Sequence, residues 1–210
     1  MDAVAKSLEL DYQTLSATLL FAFIYKGESY IYCRGDGLIS YKIKHIENGI
    51  EKPCTFTHHL SYTTNAPYYL VYSINPIGDS RYKMLYGNGK LITKTIITDA
   101  SGTDLNISED NHDSSMLISF PVNDSNVLDY IMIGSDGFDS YKPMKAHINT
   151  NRSDLSYESI LARATAFKVR GGACVQRRLS MMEIEDKKNM IEHTDDMSVA
   201  VIIEVPNVNS

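Results

Sequence analysis

The residues best suited to chemistry in this chain are aspartates at the ends of two apolar segments. The first segment, "IMIGSDGFDS" (131–140), runs from three apolar residues into Asp136 and Gly137. The second segment, "HTDDMSVAVI" (193–202), places two aspartates, the first of them Asp195, just before an apolar run. If the two segments form adjacent antiparallel strands, these carboxylates lie at the same end of one sheet. Mg²⁺ and Mn²⁺ prefer oxygen ligands, so the arrangement predicts a site for a divalent cation.

Each acidic stretch also has a simpler interpretation as a turn or a solvated loop, because Ser, Asp and Gly are common turn residues. In the metal interpretation, Gly137 lets the backbone approach the site closely. Asp139 would contact a metal-bound water, although its position favours a helix-capping or turn-capping role. Asp36 is expected to support a turn beneath the site, with a hydrogen bond to a metal ligand as the alternative.

Other reactive side chains favour interpretations without chemistry. His58 and His59 have no carboxylate at helical or turn spacing, so we expect them in a loop and not at a metal. Cys174 has no partner pattern for a nucleophile and is expected in the core. A group of cations is expected on a solvated helix face, with steering of a phosphorylated substrate as the alternative. This group comprises Arg177, Arg178, Lys187 and Lys188.

Composition narrows the class of protein. The chain has 210 residues, of which 43% are hydrophobic and 22% are charged, as expected for one globular domain over residues 1–210. A net charge of −6 argues against nucleic acid as a partner. The three cysteines are odd in number and form no CxxC motif, so neither a disulfide framework nor a zinc site is predicted.

The expected location is the cytoplasm. Unpaired cysteines fit a reducing compartment. The longest apolar run, 17–25, is shorter than the roughly 20 residues that a membrane-spanning helix needs. The start, "MDAVAKSLEL", lacks the features of a secretory signal. We therefore expect no membrane partner, and the sequence does not predict an oligomeric state.

Strands dominate the predicted elements, and helices come late. Alternating or apolar runs predict strands at 17–25, 29–34, 38–46, 68–74, 81–86, 90–98, 115–122, 128–134 and 197–205. Asn48-Gly49 and Gly87-Asn88-Gly89 are typical of hairpin turns, and the polar stretch 99–115 is predicted to be a loop. Helical periodicity predicts helices at 154–169 and 173–193. This order favours an antiparallel α+β architecture in which helices cover a sheet.

Taken together and in order, the motifs resemble those of the metal-dependent (PPM, type 2C) protein serine/threonine phosphatases. "LSATLLFAFIYKGESYIYCRGDGLIS" (15–40) resembles a hairpin of that family that ends in a Gly-Asp triplet. "LDYIMIGSDGFDS" (128–140) resembles its Ser-Asp-Gly metal motif, and "HTDDMSVAVI" resembles its last acidic motif. "GGACVQRRL" (171–179) is similar to a divergent bacterial branch. The resemblance covers about residues 15–205.

The resemblance implies a four-layer α-β-β-α sandwich of antiparallel sheets. It also implies two Mg²⁺ or Mn²⁺ ions that activate a water, which hydrolyses phosphoserine or phosphothreonine in a protein substrate. The water would be the nucleophile, so no catalytic side chain is identified in this chain. Asp136 and Asp195 match metal ligands of the family. Asp196 stands where the family often has Asn, and is expected to be a neighbour of the site.

The chain departs from the family at its start. The segment "MDAVAKSLELDYQT" contains neither the D-G-x-G-G motif that bridges both metals nor the family's phosphate-gripping Arg. The resemblance therefore implies the C-terminal two-thirds of the family domain, without its first strands and about half of its metal ligands. We expect a sheet edge or face that remains to be covered, and little activity from this chain alone.

Three functions remain open at this point. The first is a metal-dependent phosphatase domain. The second is a non-catalytic phosphatase-like regulatory or binding module with an incomplete metal site. The third is a β-rich binding domain unrelated to phosphatases, which would be favoured if Asp136 and Asp195 lay far apart.

Overall fold

The computed structural model describes residues 16–144, 155–168 and 170–203, and within them the fold is α+β with antiparallel strand pairing. The strands are β1 Leu19–Tyr25, β2 Glu28–Arg34, β3 Gly37–Glu47, β4 Ile50–Tyr62, β5 Leu91–Thr98, β6 Asp104–His112, β7 Met116–Pro121, β8 Asn126–Gly134, β9 Tyr141–Pro143, β10 Ile191–His193 and β11 Val199–Ile203. The helices are α1 Leu70–Ile74, α2 Pro76–Tyr86, α3 Tyr157–Ala164 and α4 Cys174–Lys188. No helix in the described ranges is both long and apolar enough to cross a membrane.

Two sheets carry most of the strands. The larger has six strands in the order β11-β8-β3-β4-β5-β6, and the smaller has three in the order β1-β2-β7. A short pair, β9 and β10, lies apart from them. Alternating sequence explains the pairing, because every second residue of β2 is buried and the residues between them are only partly buried.

The first hydrophobic core lies between the two sheets. Its buried side chains come from alternate positions on facing strands, among them Ile31 and Cys33 of the small sheet and Ile39 and Tyr41 of the large sheet. Burial of such side chains from water is the main stabilising contribution to a sandwich of this kind.

The second core lies between the opposite face of the large sheet and helices α3 and α4. Leu38 and Met132, whose chain neighbours face the first core, pack here with Ile160, Leu161 and Met182 of the helices. The two helices are also tied to each other by an ion pair between a guanidinium of α3 and the buried Asp186 of α4.

The outer face of the small sheet is open. Phe21 and Phe23 of β1 stack on Tyr32 and Tyr30 of β2, with ring centroids 5.1 and 5.0 Å apart. Nevertheless Phe21 is 42% exposed, Phe23 is 45% exposed and Leu117 is 64% exposed. These exposed side chains lie side by side, because Phe21 and Leu117 both pair with Tyr32 of the central strand.

Several sequence predictions of secondary structure were wrong. The segments 68–74 and 81–86 are largely helical. The side chain of Asn75 caps α2 by accepting hydrogen bonds from two backbone N–H groups of its first turn, and Pro76 occupies the first position of that helix. Gly87-Asn88-Gly89 consequently joins a helix to β5. The predicted loop 99–115 contains strand β6, which is polar because it is an edge strand whose side chains are mostly exposed.

Other helices and strands were predicted, but with different first or last residues. The turn at Asn48-Gly49 was predicted correctly, and the strand that follows it, β4, extends to Tyr62. Helix α3 begins later than predicted, because Ser156 caps its start by accepting a hydrogen bond from Ser159 N at 3.1 Å. Residues 154 and 169 of the predicted range lie outside the described residues. Helix α4 ends at Lys188, and the remainder of its predicted range includes β10. Of the predicted strand 197–205, residues 199–203 form β11, and 204 and 205 lie outside the described residues.

Candidate functional site

Strands β8 and β11 bring the two acidic segments together. They are antiparallel neighbours, and Val199 at the start of β11 pairs with Gly134 at the end of β8. The chain that leaves β8 and the chain that enters β11 therefore lie at the same end of the sheet. Asp136 and Asp195 line one cleft there. The predicted strand arrangement is thus confirmed.

A close backbone contact fastens these two segments. Ser135 N donates to Ser198 O at 2.9 Å, and Ser198 N donates to Ser135 Oγ at 3.0 Å. Gly137 approaches the opposite segment so closely that a Cβ on it would lie 2.4 Å from the carbonyl oxygen of Asp196. This explains why a buried strand runs into Asp-Gly, since any larger residue at 137 would push the two acidic segments apart.

Ser140 positions Asp195, and the sequence analysis did not identify it. Its hydroxyl donates to Gly137 O at 2.7 Å and lies 3.2 and 3.3 Å from the backbone N–H groups of Thr194 and Asp195. The Asp195 carboxylate also accepts a hydrogen bond from Asp196 N at 2.8 Å. Asp196 is not among the residues that line the cleft. The only sequence signal for Ser140 was a hydroxyl residue just after an acidic turn.

The turn that carries Asp36 supplies a third acid to the cleft. Its flanking glycines, Gly35 and Gly37, have φ values of 112° and 127°, which residues with side chains rarely adopt. Asp36 accepts a hydrogen bond from Thr18 Oγ1 at 2.9 Å and lines the cleft beside Asp136. The residue therefore stabilises its turn and also contributes negative charge to the site.

The cleft has a volume of about 380 Å³ and concentrates negative charge. Burial raises the pKa of Asp136, and the nearby charges of Asp36, Asp195 and Asp139 raise it further. The hydroxyl of Tyr69 responds to the same field, because burial and the charges of Asp36 and Asp136 raise its pKa to about 12. A bound cation would relieve this repulsion between carboxylates.

His59 belongs to the cleft, so the prediction that His58 and His59 lie in a loop was wrong. Both residues are in strand β4. His59 Nε2 is hydrogen bonded to Asp139 Oδ2 at 2.6 Å, so Asp139 holds a histidine and does not cap the turn. His58 points elsewhere and is buried against Tyr41, and this burial lowers its pKa to about 4. The pairing was missed because strand register, not sequence spacing, brings His59 to Asp139.

The donor set of the cleft suits a hard divalent cation in type but not in number. Carboxylate oxygens from Asp36, Asp136 and Asp195 face one volume, as Mg²⁺ or Mn²⁺ requires. Within the described part of the chain, however, no three His, Cys, Asp or Glu side chains lie close enough together to hold a metal ion as they stand. The cleft therefore gathers oxygen donors of the type that a divalent cation takes, but fewer clustered side chains than would hold one as they stand.

The remaining candidates lie away from the acids. Cys174 is 8% exposed and belongs to the interior, as predicted. Arg178 is not on a solvated face, since it donates to Glu185 Oε2 at 3.0 Å and its side chain is only 15% exposed. Lys187 is exposed and pairs with Glu183 within α4. A cavity of about 480 Å³ beside α4 includes Asp186, whose charge Arg163 already neutralises.

Comparisons of the chain with protein-family models, with curated proteins and with solved structures gave no significant match. The functional assignment therefore rests on the residues of the cleft and on the motifs that carry the resemblance.

Proposed function

We propose that this chain is the greater part of a PPM-type protein serine/threonine phosphatase domain, which hydrolyses phosphoserine and phosphothreonine by means of a metal-activated water. One observation carries the proposal. Asp136 and Asp195, which match two metal ligands of that family, come from separate segments and line one cleft on adjacent antiparallel strands.

Asp136 and Asp195 would hold Mg²⁺ or Mn²⁺. The bound ions would supply a water nucleophile at neutral pH and would neutralise charge on the phosphoryl oxygens. The residues around them act before any substrate arrives. Ser140 fixes the segment that carries Asp195, Gly137 sets its distance from Asp136, and the His59–Asp139 hydrogen bond closes one wall.

The open aromatic face supports the four-layer sandwich that the family would adopt. Two sheets with helices on one outer side account for three layers, and the exposed Phe21, Phe23 and Leu117 mark the side where a fourth layer would pack. Covering these side chains would stabilise the fold by about 25 cal/mol for each Å² of apolar surface that is buried.

A second candidate is a non-catalytic, phosphatase-like regulatory module. Two observations favour it. The 210 residues contain no D-G-x-G-G stretch, and the described part of the chain brings fewer than three metal-type side chains within ligand range of one another. A module of this kind would keep the cleft and its fold but would not activate water.

Turnover separates the two candidates. The chain is assayed with a phosphothreonine peptide in millimolar Mn²⁺, with EDTA and with Asp136→Asn and Asp195→Asn as controls. The phosphatase proposal expects slow turnover that EDTA and both variants abolish, and much faster turnover once an upstream D-G-x-G-G segment is fused to the chain. Electrostatic positioning provides most of the catalysis in phosphoryl transfer, so each missing ligand is expected to cost orders of magnitude in rate. Metal binding without any turnover in either protein would favour the regulatory module.

A further inference from the structure

A second cleft, of about 290 Å³, lies beside the acidic one and has the opposite character. Its lining includes the cations Arg34, Lys83 and Lys90. The loop Gly87–Gly89 forms another part of the wall. None of these residues takes part in the acidic cleft.

Arg34 is the unusual group in this cleft. The guanidinium donates to Ser114 Oγ at 2.9 Å and lies 5.3 Å from the ring centroid of Tyr68. Its Nε is buried and has no hydrogen-bond partner among the described residues, and no carboxylate in those ranges forms an ion pair with it. Partial burial of a guanidinium without an anion costs free energy, so an anionic ligand bound here would stabilise the protein.

The balance of charge in the cleft is positive. Lys83 is committed to Asp79, at 2.8 Å, and Asp113 contributes one opposing carboxylate. Arg34 and Lys90 remain without an ion pair in the described residues. The cleft therefore has room and charge for one anionic group.

A single tyrosine connects the two clefts. Tyr62 lines the acidic cleft, and its hydroxyl accepts a hydrogen bond from Gly35 N at 3.3 Å and donates to Ser114 O at 2.9 Å. Gly35 stands between Arg34 in one cleft and Asp36 in the other. The two clefts therefore lie on either side of Tyr62 and of the turn at Gly35.

We propose that the basic cleft binds a phosphate monoester carried on a peptide, with Arg34 as its principal ligand. The planar guanidinium can donate two parallel hydrogen bonds to phosphate oxygens. Lys90 adds charge, and Tyr68 offers an aromatic wall to the peptide. That the peptide is also the substrate rests on the proposed function, and in that case a substrate with two neighbouring phosphorylated residues would occupy both clefts.

Fluorescence anisotropy of a labelled phosphothreonine peptide tests the site in EDTA, where no metal chemistry contributes. Arg34→Gln is expected to weaken binding at least about tenfold, since charge-assisted hydrogen bonds are lost. Arg34→Lys should restore part of the affinity, and Lys90→Gln should lower it by a smaller factor. Arg81→Gln, which removes an exposed arginine of α2 outside the cleft lining, should have no effect. Circular dichroism establishes that each variant is folded.

Two results would overturn the proposal. One is equal affinity of the wild type for the phosphorylated and unphosphorylated peptides. The other is equal affinity of the wild type, Arg34→Gln and Lys90→Gln for the phosphopeptide. Inorganic phosphate is expected to compete with the peptide. Asp136→Asn should not weaken peptide binding in EDTA, so loss of turnover in that variant tests the proposed function separately.

Discussion

The contact at Gly137 gives a sharp test of how the two acidic segments are held together. Gly137 lies in the 3₁₀ turn Asp136–Ser140, and its φ is not in the left-handed region, so alanine fits its backbone. The obstacle is steric. A Cβ at this position would lie 2.4 Å from Asp196 O and 2.9 Å from Asp196 C, and it has to move to at least 3.0 Å from the oxygen, a displacement of at least 0.6 Å.

Gly137→Ala is therefore expected to destabilise the fold and to separate Asp195 from Asp136. Overpacking costs about 1–3 kcal/mol, while the Gly→Ala gain from the unfolded chain returns about 0.4–1 kcal/mol. A net loss of about 1–2 kcal/mol lowers Tm by about 2–4 °C per kcal/mol in a domain of this size. Urea denaturation and thermal unfolding measure the loss, and a Mn²⁺ titration measures the effect on the cleft.

Gly171→Ala is the matched control. A Cβ at Gly171 meets nothing within 4 Å, and its φ is not positive, so this variant should be as stable as the wild type or slightly more stable. If Gly137→Ala proves as stable as Gly171→Ala and binds Mn²⁺ as the wild type does, the account of how the segments are fastened is wrong.

Three further variants test the electrostatics and the hydrogen bonds. Because burial and neighbouring acids raise the pKa of Asp136, its charge destabilises the metal-free fold above that raised pKa. Asp136→Asn should therefore raise Tm in EDTA at pH 7, and the gain should fade as pH falls towards the ordinary aspartate pKa. Burial alone would raise the pKa of Asp129, but Arg170 holds it below its usual value. Asp129→Asn should cost about 1–3 kcal/mol by chemical denaturation, because the charge-assisted hydrogen bond from Arg170 to the carboxylate is lost, and the wild-type contribution should be lost as pH falls below the ordinary aspartate pKa through the depressed one. Ser140→Ala should cost about 1–2 kcal/mol and weaken Mn²⁺ binding, because the segment that carries Asp195 loses its anchor.

The sequence predicted the structure best where an apolar run in the sequence coincides with a strand that pairs with its neighbour in the sheet. Apolar runs located β8 and β11, and the positions of Asp136 and Asp195 relative to them predicted the shared end of the sheet. Apolar or alternating runs likewise predicted β1, β2, β3, β5 and β7. Gly137 was predicted to allow a close approach, and the structure shows that its partner is the backbone of Asp196.

The errors have physical causes. The tyrosine-rich segment 68–86 has strand-like composition, but its tyrosines pack on one another from two short helices, with the rings of Tyr72 in α1 and Tyr82 in α2 5.0 Å apart. His59 and Arg34 acquire their roles only through strands that are distant in sequence. Such long-range register cannot be read from local spacing.

Whether Asp136 and Asp195 together bind a divalent cation is measured by a Mn²⁺ titration of the wild type, Asp136→Asn, Asp195→Asn and Asp124→Asn. Asp124 is an exposed aspartate between β7 and β8, outside the cleft lining, so its variant controls for a general loss of negative charge. Weak binding to the wild type is expected, because the cleft supplies few ligands. Asp136→Asn and Asp195→Asn should each reduce it at least about tenfold, since each removes one charged ligand, and Asp124→Asn should bind as the wild type does. Equal Mn²⁺ affinity in all four proteins would contradict the claim that Asp136 and Asp195 form a metal site.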